Sequence, residues 1–479
     1  MATPSVSSSS NSSLVDPRLR TTFSLVKWDK LASVACTLSQ LPPGSCHWGE
    51  QLSGGYNLVR FLHLYDNQES IVVARVPLRS EDAMSEEHSS AISKRIESEV
   101  VTMKYVDTRT AIPIPHVLHY NAHAEEDVGS PYILMSKVDG VPLSSVWDDM
   151  DDDRRFIVLR QVIDILLELW SHRFDKKGAF FDEIDGSLCI RSNSLFVSPD
   201  NNGTRHRLQT TSYLHAADFW LAYANAQLYD IDESDFGSDI KPFTHSQAWF
   251  MRSLIPALFD PSIDVHGFPL SPGDFHSQNI MIADANSSHP RITSVIDWEF
   301  SGPDFVSSFA QYPLFIVDHP HWKDDNPLRE RNIRDQATFD QLIREAERSR
   351  NLVNDNVKLS RLISNSHGIY LFQQAMYYPG MYSSMYPLLF AHVFGDDDDN
   401  FSTDYYWALM ENGILNKEKQ RFDRENGVWL EAREILGEEA VRPHLTRTEF
   451  IDLILKFEDR FDNGGSVSQW LASLKQNVI

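Results

Sequence analysis

The chain has 479 residues, with 43 Lys and Arg against 68 Asp and Glu, a formal net charge of −25 and 42 % hydrophobic residues. This composition is globular, neither collagen-like nor disordered, and by surface scaling roughly three quarters of the chain's surface can be buried without staples. The acidity argues against a nucleic-acid binder, which needs a basic footprint, and against docking on anionic membrane lipid.

Residues 1–20 read as a disordered tail, because the stretch from Ala2 to Leu14 is mostly Ser, with Asn, Pro and Thr. Residues 21–138 read as a strand-rich lobe with one helix. Leu52-Ser53-Gly54-Gly55-Tyr56-Asn57 is a glycine turn ahead of an apolar run. Leu58 to Tyr65 alternates like a strand and ends at the turn pair Asp66-Asn67. Ser70 to Val76 is nearly continuous and β-branched, which suits a strand covered on both faces. A helix is expected over Ser89 to Asp107, where Ile92, Ile96, Val100, Met103 and Val106 recur at three- and four-residue steps. Pro113 and Pro115 forbid its continuation. Val117 to Tyr120 and Tyr132 to Val138 read as further strands.

Residues 139–479 read as a mostly helical lobe. The acidic cluster Asp148 to Asp153 opens a helix running to His172, where it complements the helix dipole. Asn279 to Ala283 and Arg291 to Ile296 read as a small hairpin. The Tyr- and Met-rich stretch Tyr370 to Phe390 reads as core packing, and Asp396 to Asp399 as a solvated loop. Cys36, Cys46 and Cys189 lack metal-ligand spacing, and their odd, sparse count fits a reducing compartment without a disulfide framework. The apolar runs are short, and the start lacks a secretory segment. A cytoplasmic location is expected, with Arg18 and Arg20 leaving a mitochondrial alternative.

The strongest chemical signal is Ser271-Pro272-Gly273-Asp274-Phe275-His276-Ser277-Gln278-Asn279, followed by Val295-Ile296-Asp297-Trp298-Glu299-Phe300. A carboxylate and a carboxamide lie five residues apart, and a second carboxylate ends a β-branched strand. Phosphoryl transfer from a magnesium nucleotide needs such a set. One carboxylate accepts the substrate hydroxyl's proton. An amide oxygen and another carboxylate hold Mg²⁺, which takes oxygen ligands and few of them from protein. On this reading Asp274 is the base, and Asn279 and Asp297 are the metal ligands.

With these motifs the chain resembles the aminoglycoside phosphotransferase family, a branch of the protein-kinase-like fold, and especially its fungal members. The resemblance runs from about Cys46 to Phe305. It rests on ordered pieces: Ser-Gly-Gly-Tyr-Asn, Val-Ala-Arg-Val-Pro, Ser-Glu-Val-Val-Thr-Met, Ile-Pro-Ile-Pro-His-Val, Tyr-Ile-Leu-Met, Gly-Ser-Leu and the two motifs above. It implies an α+β, two-lobed fold and an ATP- and Mg-dependent kinase acting on a hydroxyl of a small molecule, and the chain's acidity suggests a cationic one. It implies that Gly54, Gly55 and Asn57 form the nucleotide loop, and that Arg75 pairs with phosphate where relatives carry Lys. Met135, Ser136 and Val138 lie in the implied hinge that meets the purine through its backbone. The phosphate-pairing residue's partner is a helix Glu, and at 100° per residue Glu99 lies by the apolar stripe while Glu97 points to solvent. Pro272 stands where many members have His, and with Arg75 this motivates the alternative of a kinase-like pseudoenzyme that binds nucleotide or a partner without transfer. Partner proteins are not readable.

Overall fold

The computed structural model describes residues 16–476, except 80–85, 125–126, 193–212, 235, 239, 320–321, 323–324, 351–356, 396–407, 438–444 and 462–463. The Ala2 to Leu14 stretch and the Asp396 to Asp399 run lie outside the described residues.

Five strands make one antiparallel sheet: β1 (Cys46–Ser53), β2 (Asn57–Leu64), β3 (Ile71–Pro77), β4 (Val117–Asn121) and β5 (Tyr132–Ser136), in the order β1-β2-β3-β5-β4. The central strand β3 is covered on both faces, as its continuous apolar run requires. On one face α3 (Glu86–Arg109) lays Ile92, Ile96 and Val100 against Ile133 and Met135. The opposite cover was not foreseen. Helices α1 (Pro17–Leu25) and α2 (Trp28–Leu38) precede the sheet, and Leu31, Ala32, Ala35 and Cys36 of α2 pack on Leu62, Val72, Ala74 and Val76. The lobe therefore holds three helices rather than one. The expected tail through residue 20 is also corrected, since α1 starts at Pro17. Asp16 caps it, accepting from the Arg18 backbone N–H at 2.9 Å.

The second lobe is organised by α4 (Asp152–Ser171), capped by Asp151 as the acidic cluster suggested. Nearly all of its apolar side chains are buried, from Val158 to Trp170. The lobe's short strands are β6 (Val141–Pro142), β7 (Arg173–Phe174), the hairpin β8 (Ala179–Asp182) and β9 (Leu188–Arg191), β10 (Phe268–Ser271), β11 (Ile280–Ala283), β12 (Arg291–Val295) and β13 (Gly302–Pro303), of which β10 and β12 pack on α4. The expected hairpin is β11 and β12, with β6 added at its edge. A second small sheet runs β13-β10-β7.

The remaining helices are α5 (Ala216–Glu233), α6 (Lys241–Leu258), α7 (Pro261–Asp264), α8 (Val306–Phe309), α9 (Leu328–Ser349), α10 (Leu359–Ser364), α11 (His367–Tyr377) and α12 (Pro379–Phe394), then Asn416–Leu436, Arg447–Lys456 and Ser466–Gln476. Phe372, Met376, Met385 and Phe390 of the Tyr- and Met-rich stretch pack with Trp220 and Phe250 in one buried core. The lobes also meet away from the sheet. Tyr105 near the end of α3 meets Phe174 edge to face and Phe180 at a tilt, with ring centroids 5.8 and 5.1 Å apart. Among the described residues no helix is long and apolar enough to cross a membrane.

Candidate active site

β10 delivers the chain to a tight loop that ends at β11. The Asp274 N–H donates to Pro272 O at 2.8 Å, and the Asp274 carbonyl accepts from His276 N–H at 3.2 Å. The Asn279 side-chain amide also donates to that carbonyl at 2.9 Å. At the end of β12, Ile296 N–H donates to Asn279 O at 2.8 Å, which ties the Asp297 segment to the loop. The two segments touch backbone to backbone at Gly273. Its φ is +69°, and a Cβ there would lie 2.8 Å from Glu299 O and 2.9 Å from the Phe300 carbonyl carbon. Glycine is required by both conformation and space. Asp297 and Phe300 have φ of 62° and 65°, a left-handed backbone that is costly for side-chain-bearing residues and clusters at functional sites.

The Asp274 side chain is 42 % exposed, while His276 beside it is mostly buried. The Gln278 N–H donates to His276 Nδ1 at 3.1 Å, so the neutral ring carries its proton on Nε2 and donates it to Asp274 Oδ2 at 3.1 Å. Burial opposes charge on His276, but the hydrogen bond and charge of Asp274, helped by Asp297, outweigh it and raise the imidazole's pKa. The other carboxylate oxygen, Oδ1, has no protein partner among the described residues.

Across the cleft, Arg75 on β3 is buried amid three carboxylates. Nη1 pairs with Glu99 of α3. Nη2 lies 2.6 Å from both Asp297 Oδ1 and Glu299 Oε2. Arg95 Nε approaches Glu299 Oε1 at 2.7 Å, an ion pair whose angle falls short of a hydrogen bond. The Asn57 amide donates to Glu299 Oε2 at 2.7 Å. Glu99 is 4 % exposed, whereas Glu97 faces His123 at 3.8 Å on the surface. Two guanidiniums thus face three carboxylates. Burial, followed by the Glu299 and Asp297 charges, pushes the Glu99 carboxyl up against the pull of Arg75. Burial works against charge on Arg75, but the same three carboxylates outweigh it and raise its pKa.

Gly54 and Gly55 form the turn between β1 and β2. A Cβ on Gly55 would meet nothing within 4 Å, and one on Gly54 only Asn57 O at 4.0 Å, so this turn's backbone is open to approach. In the hinge, β5 ends at Ser136, two residues short of the expected strand. The Ser136 N–H donates to His116 O at 2.9 Å and the Lys137 N–H to Ile71 O at 3.3 Å. Met135 is buried, and Val138 follows half-buried beyond the strand.

Among the described residues no group of three or more His, Cys, Asp or Glu could hold a metal. The Asn279 and Asp297 pair is a smaller set of oxygen donors. The Asn279 nitrogen is committed to Asp274 O, which leaves the amide oxygen as the free end. Two such ligands fit Mg²⁺, which keeps several waters and takes few oxygens from protein.

The profile described as "Phosphotransferase enzyme family" matches residues 48–308, more than half of the chain. The chain belongs to that family. Its two-lobed, protein-kinase-like α+β fold is the one the sequence pieces implied. Among curated proteins, "Altered inheritance of mitochondria protein 9, mitochondrial" of Meyerozyma guilliermondii is 28 % identical over 138 residues, 28 % of this chain and 22 % of the relative. A "Subtelomeric hrmA-associated cluster protein" of Aspergillus fumigatus is 30 % identical over 132 residues, 28 % of this chain and 24 % of the relative. The chain thus spans about a quarter of the length of the curated relatives it matches. The solved GDP and kanamycin complex of APH(2″)-IIIa is 14 % identical with a TM-score of 0.40, covering 81 % of this chain and 99 % of that one.

Two residues of this phosphotransferase-family site were missed in the sequence. Glu299 lies in the Ile-Asp-Trp-Glu motif, two positions from Asp297, and joins Asn57, Arg75 and Arg95. Its signal was available, for a second acid beside a buried Trp298 is an unusual surface choice. Arg95 carried no signal. It sits on α3 between two apolar-stripe positions and reaches Glu299 through tertiary packing alone.

Proposed function

We propose that the chain is an ATP- and Mg²⁺-dependent phosphotransferase that moves the γ-phosphoryl group to a hydroxyl of a small cationic molecule. The observation that carries this reading is the convergence of Asp274, Asn279 and Asp297 on two segments in backbone contact, with Arg75 joined to Asp297 across the cleft. Asp274 Oδ1 accepts the acceptor hydroxyl, while His276 holds Oδ2 and with it the carboxylate's orientation. Asn279 and Asp297 would hold magnesium, which when bound neutralises charge on the transferred phosphoryl group. Gly54, Gly55 and Asn57 cradle the phosphates, Arg75 pairs with them, and Glu99 holds Arg75 in place. Met135, Ser136 and Val138 line the purine end. The transition state of such transfers is loose, so positioning matters more than proton removal.

A cationic acceptor is supported by what surrounds Asp274. Tyr56, Phe300 and Tyr378 are exposed aromatics, and Tyr56 and Phe300 meet edge to face at 5.8 Å. Burial, then the charges of Asp274 and Tyr56, raise the Tyr378 phenol's pKa, which puts it in their neighbourhood. The Arg95 guanidinium already lies 5.8 and 5.7 Å from the Tyr56 and Phe300 ring centroids, so the Tyr378 ring beside the Asp274 carboxylate is the face that would take an ammonium group. We place the activity in the cytoplasm; the relatives' mitochondrial name supports the alternative compartment.

One observation favours the second reading, a nucleotide- or partner-binding module without transfer. Both terminal nitrogens of Arg75 are engaged by carboxylates, and Glu299 ties the glycine turn through Asn57. Thermal unfolding with and without MgATP separates the readings from a non-binder. Ligand at 100 times its Kd adds about 2.7 kcal/mol, a shift of roughly 2–4 °C or less for a chain this long. The wild type should shift, and Asp297→Asn should not. A shift without any ATP-dependent product across amino-alcohol acceptors would favour the module. No shift at millimolar MgATP would sink the kinase reading.

A further inference from the structure

The three thiols are free, yet two of them touch. Cys36 lies near the end of α2 and is fully buried; Cys46 opens β1 and is half-buried; their sulfurs are 3.2 Å apart. The connection between them is short and held. The Leu41 N–H donates to Cys36 O at 2.8 Å, and the Ser45 N–H to Pro42 O at 3.1 Å. Gln40 and Gly44 turn the chain with φ of 58° and 85°. The Tyr65 N–H then anchors Ser45 O at 2.8 Å. The two sulfurs are therefore brought together by local structure. A disulfide bond needs them about 2.05 Å apart, so closure takes about 1 Å of sulfur movement.

We propose that Cys36 and Cys46 form an oxidisable dithiol that closes to a disulfide under peroxide. The half-buried Cys46 sulfur attacks one peroxide oxygen, and the second oxygen leaves as hydroxide, which takes up the thiol proton to become water. Cys46 is then a sulfenic acid. The Cys36 sulfur attacks the Cys46 sulfur, and the sulfenic oxygen leaves as a second water with the Cys36 proton. The two thiols lose two electrons and two hydrogens together, and hydrogen peroxide is reduced to two waters. A small neutral oxidant suits a half-buried sulfur. Burial, then contact with Cys36, pushes the Cys46 thiol up to about 12, so thiolate is scarce and the reaction is slow. The product ties α2, the cover of the far sheet face, to the strand that leads into the glycine turn.

The test uses the full native chain. After peroxide, the protein is unfolded, alkylated with N-ethylmaleimide and cut with trypsin. Lys30 and Arg60 bound one tryptic peptide that carries both cysteines, and Cys189 lies in another ending at Arg191. The expected result is a Leu31–Arg60 peptide that takes up no maleimide, is lighter by two hydrogens, and regains both alkylation sites after dithiothreitol. In Cys36→Ser the reaction should stop at the sulfenic acid, so dimedone labels Cys46 there and not in the wild type. The proposal is overturned if Leu31–Arg60 still takes up two maleimides after exposure that oxidises Cys189. Equal dimedone labelling of Cys46 in both proteins, or a disulfide to Cys189, would overturn it as well.

Discussion

Around Arg75 the cleft is buried and crowded with charge, and around Asp274 it is half-open and braced by hydrogen bonds to neutral groups. Arg75's side chain is 9 % exposed and meets three carboxylates. Asp274's is 42 % exposed and meets one imidazole. The difference separates two tasks. A buried charge cluster fixes geometry but makes each member costly to lose, because its partners would be left buried and unpaired. A half-solvated carboxylate costs little to keep ionised and can exchange its solvent for a hydroxyl. Loss of the first should cost stability, and loss of the second should cost turnover.

The largest effect expected is on Asp274→Asn. Transfer should fall roughly 10²–10⁴-fold. Its MgATP melting shift should match the wild type, and its stability should stay within about 0.5 kcal/mol. Normal turnover would remove Asp274 as the base. Arg75→Met should show the reverse pattern in urea unfolding, a loss of about 3–5 kcal/mol, since Glu99 would stay buried without its ion-pair partner while Glu299 would keep only Arg95 and Asn57. A loss under about 1 kcal/mol would mean that water or a protonated Glu99 already relieves the cluster. Gly273→Ala probes the contact between the two segments. Strain and collision should cost about 1–3 kcal/mol and lower turnover, and a variant as stable and active as wild type would show that the contact yields.

The smallest effect is a pH control that lies outside both regions. His245 on α6 is buried, and burial, ahead of the opposing Asp232 charge, holds its pKa below the ordinary value. Its folded pKa lies under its unfolded one, so the unfolded chain binds more protons between the two. Stability from this group is present above about pH 6.5 and lost as pH falls through the folded pKa. Urea unfolding between neutral and mildly acid pH should show that loss, and His245→Gln should flatten the slope. An unchanged slope would assign the acid sensitivity to the site clusters.

Legibility differed between the same two regions. The Asp274, Asn279 and Asp297 motifs were visible from their spacing, the structure brings the two segments that carry them into backbone contact, and β11 and β12 were visible as a hairpin. Glu99 was readable from helix geometry, since one residue's difference in a 100° rotation separates a buried glutamate from a solvated one. Glu299 and Arg95 were not read as a network. Glu299 and Arg95 come from separate elements, and no local rule brings them together. Helix α2 was missed because the strand it covers carries the requirement for it, and that strand's apolar run does not say which segment will answer it.

The sequence by itself determined the two-lobed α+β fold, the apolar faces of β3 and α3 and the order of the chemical motifs. Those follow from periodicity and spacing, which are local. The tertiary structure decided what surrounds each group. It assigned Arg75 three carboxylates, left one Asp274 oxygen without a protein partner among the described residues, forced Gly273 against Glu299 and brought Cys36 to Cys46. Such contacts depend on how separate elements pack, and packing is settled by burial and electrostatics summed over the whole fold.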